Sequence, residues 1–329
     1  MRFLRRLGIF VLLICLAAGY AVYRLSRPYR GFTGATFVEF PRGTSAQVIA
    51  GKLADAGVVA SRLDFWLARL VNRGRVLQAG QYRFDQPASP LDVFDRIARG
   101  DVFYYELVVP EGKNMFDIAA AAEQLGLFPA RDFVAAARNP ALIRDLDPQA
   151  PSLEGYLFPS TYKLSYGTTP EQLCRLMTNK FRAVWMGLRA GADVHRTVAL
   201  ASLIEKEGKL DVERPRIAAV FENRLRIGMK LDCDPTTIYA ALLDHHYRGA
   251  IYKSDLASTS PYNTYRHAGL PPGAIANPGV VSIEAALHPA SLQALYFVLK
   301  PDGSGTHEFS NTIAAHEAAT ARYRRGLAR

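Results

Sequence analysis

Glu205 lies near the end of a run, Val194 to Lys209, whose apolar residues recur at helical spacing. At about 100° per residue, Val194, Val198, Ala201 and Glu205 fall within an arc of about 60° on one face. Leu200 and Ile204 lie to one side of that face, and Ala199 and Leu203 cover the back. A helix that is apolar nearly all round is a buried one, so Glu205 is expected as a carboxyl on an interior-facing stripe. Burial disfavours a carboxylate and raises its pKa. A carboxylic acid still protonated near neutral pH can give a proton to a departing glycosidic oxygen. Positioned acid–base groups of this kind contribute about 10² to 10⁴ in rate. The alternative for Glu205 is an ion pair at the helix end, with Lys206 and Lys209 nearby.

Two polar, turn-rich segments follow. One reads LDCDPTTIY from Leu231; the other, SPYNTYRHAGLPPGAIANPG, runs from Ser260 to Gly279 and holds four prolines and three glycines. A loop this long inside a compact domain is often functional. Tyr262 and Tyr265 offer faces that stack on sugar rings, and Asn263 and Asn277 offer amides that hold acetamido groups. The same residues also suit ordinary turns. Metal chemistry is not indicated. His307-Glu308 and His316-Glu317 each lack the second histidine of a zinc-binding H-E-x-x-H, and His245-His246 are adjacent. No metal and no cofactor is expected. STYK (Ser160 to Lys163) has the Ser-x-x-Lys spacing of penicillin-binding enzymes, but no Lys-Thr/Ser-Gly follows it, which argues against a serine nucleophile.

The elements that must position these residues are legible as patterns. Helices are expected from about Pro170 to Trp185, from Val194 to about Lys209 and from Arg214 to Arg226. Ala294 to Lys300, the turn Pro301 to Gly305, and His307 to Ser310 read as a β-hairpin, with Asn311 capping a terminal helix. Upstream, the segment from Phe37 repeats from Leu107. Pro41 matches Pro110, Gly43 matches Gly112, Ile49-Ala50 matches Ile118-Ala119 and Gly57 matches Gly126, at an offset of 69 residues. Each copy reads as strand, Pro-x-Gly turn, helix, and a second helix after the later glycine. Gln78 to Phe84 reads as a strand, Ser89-Pro90 opens a helix through Ile97, and Val102 to Val109 is a further strand. Two strands flanking two short helices resemble a LysM-type module, which binds N-acetylglucosamine-containing glycans; the alternative is a packing module that only spaces the rest of the chain. The expected class is α+β. Its parts are a stub and transmembrane anchor at 1–30, a LysM-like subdomain at 31–106, a second repeat and linking region at 107–150, and a larger mixed α+β catalytic domain at 151–329.

The chain has 329 residues, 49% hydrophobic and 21% charged, with 40 Lys+Arg against 30 Asp+Glu and a net charge of +10. This composition excludes a disordered chain, and three cysteines are too few for a disulfide framework. Six of the ten excess charges are arginines in the first thirty residues, Arg2, Arg5, Arg6, Arg24, Arg27 and Arg30. The rest is too weakly basic for a nucleic-acid partner. Residues 7–23 between those arginines carry no charge, the length of a short membrane-crossing helix, so membrane lipid is an expected partner. A cleaved signal peptide is the alternative, Gly19 and Ala21 making a small-x-small pair. A single-pass plasma (inner) membrane location is expected, with the catalytic domain outside the cytoplasm. Cys174 and Cys233 would meet oxidising conditions there, and their pairing is left open.

Taken together, EGYLFPSTY (Glu154 to Tyr162), ALASLIEKEG (Ala199 to Gly208), AAVFENRL with LDCDPTTIY (Ala218 to Tyr239), SPYNTY with GLPPGAIANPG, and HEFSNT (His307 to Thr312) resemble the YceG-like family of endolytic murein transglycosylases. The blocks keep their order across residues 150–325, and Cys233 is their least typical residue. The resemblance implies cleavage of the β-1,4 bond between N-acetylmuramic acid and N-acetylglucosamine inside peptidoglycan glycan strands. It also implies coupling to peptidoglycan synthases, with the cut ending nascent strands. It implies Glu205 as the catalytic acid and base. Glu205 would protonate the leaving oxygen, then take the proton of the muramyl C6 hydroxyl as a 1,6-anhydro ring closes. Glu154, Asp234, Tyr262, Asn263, Tyr265, Asn277 and Ser310 are the implied substrate-binding residues. An ordinary hydrolase needs a second carboxylate about 5–9.5 Å away, for which Glu154, Glu207 and Asp234 are candidates. Glu207, two positions on, is turned by about 200° and is expected to face away from Glu205. The rival readings are a muramidase-type hydrolase and a non-catalytic, membrane-anchored peptidoglycan-binding protein.

Overall fold

The computed structural model describes residues 2–188 and 191–327; the side chains of Arg2 and Arg5, counted above among the flanking charges, lie outside the described side chains. The chain divides into two compact units, Met1–Tyr105 with Lys163–Gly167, and Glu106–Tyr162 with Thr168–Arg329.

The first unit begins with α1 (Arg2–Ser26), of which Arg6–Ser26 is long and apolar enough to cross a membrane. There follow β1 (Thr36–Phe40), α2 (Ala46–Asp55), α3 (Arg62–Val71), β2 (Gly80–Phe84) and α4 (Pro90–Arg99). Strands β1 and β2 pair antiparallel, Thr36 opposite Phe84 and Phe40 opposite Gly80. Because side chains alternate along a strand, Val38, Phe40, Tyr82 and Phe84 all enter one core, where they meet Leu53, Phe65, Phe94 and Ile97. Burying each such side chain stabilises the unit by about 1.5–3 kcal/mol. The helices start where the serines allow it. The Ser45 hydroxyl accepts from Val48 N and that of Ser61 from Asp64 N, and Ser89 forms a capping box with Asp92. Leu25, in the last turn of α1, belongs to the same core.

The second unit carries β3 (Tyr105–Val109, all but its first residue), α5 (Met115–Gln124), α6 (Ala130–Ala137), the start of β4 (Ser160–Leu164), α7 (Pro170–Gly187), α8 (Val194–Glu207) and α9 (Arg214–Arg226). It continues through α10 (Asp234–Leu243), α11 (Lys253–Leu256), α12 (Val280–Leu287), the hairpin β5 (Tyr296–Leu299) and β6 (His307–Ser310), and α13 (Ile313–Leu327). Helix α8 is the buried centre, packed against α9, α10 and α12. The internal repeat is present in the backbone. Gly43 and Gly112 turn at φ +83° and +73°, and Gly57 and Gly126 stop the following helices at +69° and +72°. These left-handed values favour glycine. The second copy, α5 and α6, lies within the second unit. Cys174 and Cys233 are both buried free thiols.

Candidate active site

Helix α8 is capped at its start by Asp193, whose carboxylate accepts from Arg196 N at 3.1 Å, and its buried residues run from Thr197 to Ile204. It ends on two glutamates. Negative charge at a helix C-terminus faces the negative end of the backbone dipole, so each carboxyl there needs its own support. The supports differ.

Glu205 is held in a closed ion pair. Its Oε2 accepts from Arg214 Nη1 at 2.7 Å and from the backbone N–H of Gly279 at 3.0 Å. The Glu205 and Arg214 side chains are 5% and 7% exposed. Arg214 also donates to Ser282 Oγ at 2.6 Å and lies 3.2 Å from Asp211 and 4.0 Å from Glu111. One guanidinium thus serves three carboxylates. Burial, reinforced by the charge of Glu205, pushes the Glu111 carboxyl up. The backbone is close around the pair: a Cβ at Gly279 would lie 1.9 Å from Glu111 Oε1. The stripe does bury this carboxyl, and an ion pair at the helix end is also present, made by Arg214 rather than by either neighbouring lysine.

Glu207 projects to the other side, into a cleft of about 470 Å³ that it lines with Arg224, Asp232, Asp234, Tyr265 and Tyr296. Its Oε1 accepts from the Cys233 thiol at 3.2 Å. Burial raises the Glu207 carboxyl, the charge of Asp234 raises it further, and the thiol hydrogen bond opposes both. Burial also raises Cys233 well above the ordinary thiol range, next to that carboxyl, so the thiol stays a donor. The Tyr265 hydroxyl donates to Asp234 Oδ1 at 2.7 Å across the cleft mouth. Arg224 spans the wall, donating from Nε to Leu295 O at 2.6 Å and from Nη1 to Leu231 O at 2.9 Å, with its guanidinium 5.2 Å from the centre of the Tyr296 ring. The LDCDP segment is fastened to the YNTY loop by Thr264. Its Oγ1 accepts from Cys233 N at 3.0 Å and meets Thr236 Oγ1 at 2.9 Å. Asp232 turns at φ +48° to make this approach.

Of the residues singled out in the sequence, the cleft therefore brings together Asp234 and Tyr265 with Glu207. The others are placed elsewhere. Asn277 is fully buried, its Oδ1 accepting from Gly155 N at 2.8 Å and Leu157 N at 2.9 Å. Its Nδ2 donates to Lys113 O at 2.9 Å and Glu154 Oε1 at 2.7 Å. Glu154 is buried with it, its Oε2 accepting from Met115 N at 2.9 Å, and burial pushes its pKa up to about 8. Asn263 is fully buried too, donating to the carbonyls of Leu256 at 3.1 Å and Ser258 at 2.8 Å. These amides satisfy loop backbone that has no ladder partner. Tyr262 packs its ring 5.1 Å from that of Tyr239. Ser310 is buried at the end of β6, its carbonyl accepting from Leu295 N at 2.9 Å. Arg214, Arg224 and Glu111 had no place in the sequence argument. The residues that could have marked them are the charges inside or just before otherwise helical patterns, Arg214 at the head of α9 and Arg224 within it.

The YceG-like family model matches residues 38–322. An endolytic murein transglycosylase of Bacillus subtilis (strain 168) is 33% identical over 307 residues, covering 87% of this chain and 84% of that one. An endolytic murein transglycosylase of Streptococcus pneumoniae is 29% identical over 294 residues; the alignment covers 79% of this chain and 53% of that longer relative. Among solved structures, a yceG-like protein of Listeria monocytogenes superposes with a TM-score of 0.55 at 30% identity, over 87% of this chain and 99% of that one.

Proposed function

The chain belongs to the YceG-like family, and from that premise we propose that it is an endolytic murein transglycosylase whose acid and base is Glu207 in the α8 cleft. The substrate is the glycan strand of peptidoglycan, cut at internal β-1,4 bonds after N-acetylmuramic acid. Tyr265 offers a ring face for sugars, and Asp234 offers an acceptor for sugar hydroxyls beside the acid. Glu207, protonated, gives its proton to the leaving oxygen of N-acetylglucosamine as the glycosidic bond breaks. The resulting carboxylate takes the proton of the muramyl C6 hydroxyl, whose oxygen closes on C1. One bond breaks, one forms, the proton returns to the glutamate, and no water is consumed.

The observation that carries this choice is the contrast at the end of α8: Glu207 is a raised carboxyl facing an open cleft, whereas Glu205 spends Oε2 on Arg214 and Gly279. Glu205, implied by the sequence blocks, stands as the rival acid. Muropeptide release from sacculi by the Glu207→Gln and Glu205→Gln variants separates them. Loss of activity in a normally folded Glu205→Gln protein, with Glu207→Gln active, transfers the role to Glu205. Glu154, Asn263 and Asn277 serve this reading by holding the loops that wall the site.

The same reading takes α1 as a single-pass anchor in the plasma membrane, with both units outside the cytoplasm beside the peptidoglycan synthases whose strands are cut. The first unit, two antiparallel strands with α2 and α3 between them, then binds glycan in the manner of a LysM module. Pull-down by sacculi of the full Glu207→Gln chain, compared with the same chain carrying Tyr265→Ala to weaken the cleft of the second unit, tests that part: binding that survives both changes belongs to the first unit.

A further inference from the structure

Helix α3 has two apolar faces. Phe65 and Ala68 enter the core of the first unit, while on the opposite side Leu63, Trp66 and Leu70 are 63%, 40% and 53% exposed. At 100° per residue these three lie within an arc of about 60°, and with Leu67 they line an apolar groove of about 390 Å³. Val71 and Val76 extend the exposed apolar surface beyond the helix. A contiguous exposed apolar patch marks an interaction site, unlike scattered single residues. Its border is basic. Residues 62–76 contain Arg62, Arg69, Arg73 and Arg75; Arg62 is paired with Asp55 at 3.5 Å and Arg75 with Asp95 at 2.7 Å, which leaves Arg69 and Arg73 on the groove itself. The one acid within the segment is Asp64. Asp64 is buried and taken by Arg24 of α1 at 2.7 Å. Arg69 lies with its guanidinium 6.0 Å from the centre of the Trp66 ring.

The Arg24–Asp64 pair also fixes where this face lies. Arg6–Ser26 is 21 residues of apolar helix, about 31 Å at 1.5 Å per residue, which spans a hydrocarbon core of about 30 Å. Its last turns carry a collar of the kind found at membrane surfaces: Arg24 donates to Tyr20 Oη at 3.2 Å and Arg27 to Tyr23 Oη at 2.7 Å. Arg24, inside that collar, is bonded to the first turn of α3. The helix therefore starts at headgroup height.

We propose that the outward face of α3, with Leu63, Trp66 and Leu70 bordered by Arg69 and Arg73, is a second membrane contact that lies in the headgroup boundary and takes anionic phospholipid as its partner. This rests on the reading of α1 as a membrane anchor. An in-plane helix with an apolar face and basic flanks gains from apolar burial and from attraction to anionic headgroups. The contact holds the first unit against the bilayer rather than leaving it to swing on the anchor.

The test uses the full chain in vesicles of phosphatidylethanolamine and phosphatidylglycerol carrying lipid brominated near the headgroup. The chain has two tryptophans, and Trp185→Phe leaves Trp66 alone. Trp66 emission is expected to shift to the blue and to be quenched by the brominated lipid, more strongly than in phosphatidylcholine vesicles of the same bromine content. A second reporter, Leu13→Trp with Trp66 and Trp185 both changed to Phe, reads the anchor itself in matched vesicles whose lipid is brominated near the middle of the acyl chain, the depth at which residue 13 of the span lies. Quenching at position 13 without quenching of Trp66 overturns the proposal and leaves the anchor standing. No quenching at position 13 overturns the anchor and the proposal with it. A blue shift of Trp66 without lipid quenching gives the face to protein, a second copy included, and equal quenching in phosphatidylcholine removes anionic lipid as the partner; either overturns the proposal.

Discussion

The two sides of the end of α8 differ more than two residues of sequence suggest. On one side Glu205 is matched by a guanidinium and by the backbone N–H of Gly279, the extended N-cap of α12, all buried. On the other, Glu207 has a thiol for a partner, an acid across the cleft and open space in front of it. A buried carboxyl held by a guanidinium and a backbone N–H is a structural tie, and breaking it leaves an unpaired charge behind. One that is desolvated beside another acid is poised to hold and give a proton. The comparison teaches that burial alone does not pick out the acid; the partners do.

The largest effect expected is on the cleft side. Glu207→Gln keeps the shape and removes the proton, and should lower the rate of muropeptide release by about 10² to 10⁴ with little change in the melting temperature. On the closed side the same substitution has the opposite profile. Glu205→Gln leaves Arg214 buried without its main partner and should cost about 3–5 kcal/mol of stability, read as a lower denaturation midpoint. A Glu205→Leu/Arg214→Met double variant should recover most of that loss, because it removes both charges together.

A smaller effect sharpens the contrast through pH. The charge of Asp234 helps to raise Glu207, so Asp234→Asn should move the alkaline limb of the activity profile to lower pH. The change at Glu205→Gln, made on the other side of α8, should leave the limb in place. A further pH effect concerns the wall. The buried Glu154 is raised from 4.5 to about 8. In that window the folded chain holds a proton that the unfolded chain has lost, so stability falls as pH rises from about 4.5 to about 8. Glu154→Gln should flatten that part of the pH–stability curve relative to wild type, as measured by denaturant midpoints at pH 5 and pH 8.

Much of the architecture was legible because it is written in local pattern. The helices from Pro170, Val194 and Arg214 begin where Thr169, Asp193 and the Arg214-Pro215 step allow, and the α8 helix stops at Gly208. The repeat was visible because Gly43, Gly57, Gly112 and Gly126 must turn left-handed. The site was legible only in its members. Tyr265, chosen for a ring that stacks on sugars, and Asp234, a candidate second carboxylate and implied binding residue, meet at the cleft mouth. Asn263 and Asn277 were chosen by the same logic, yet an amide suited to an acetamido group is equally suited to stray backbone carbonyls and N–H groups. Only the fold shows which it serves. Helical phase correctly set Glu207 on the far side from Glu205, but phase says nothing of which side is open. That depends on Arg214 arriving from α9 and on the Leu231–Pro235 segment and Tyr265 lining a cleft in front of Glu207, both set by packing between elements distant in sequence.

The most direct test of the account is mass analysis of the products released from sacculi by wild type, Glu207→Gln and Glu205→Gln proteins at a temperature where all three are folded. The account predicts 1,6-anhydromuramyl ends, one water lighter than reducing ends, from wild type and Glu205→Gln and none from Glu207→Gln. Anhydro products from Glu207→Gln, or reducing ends alone from wild type, would contradict it.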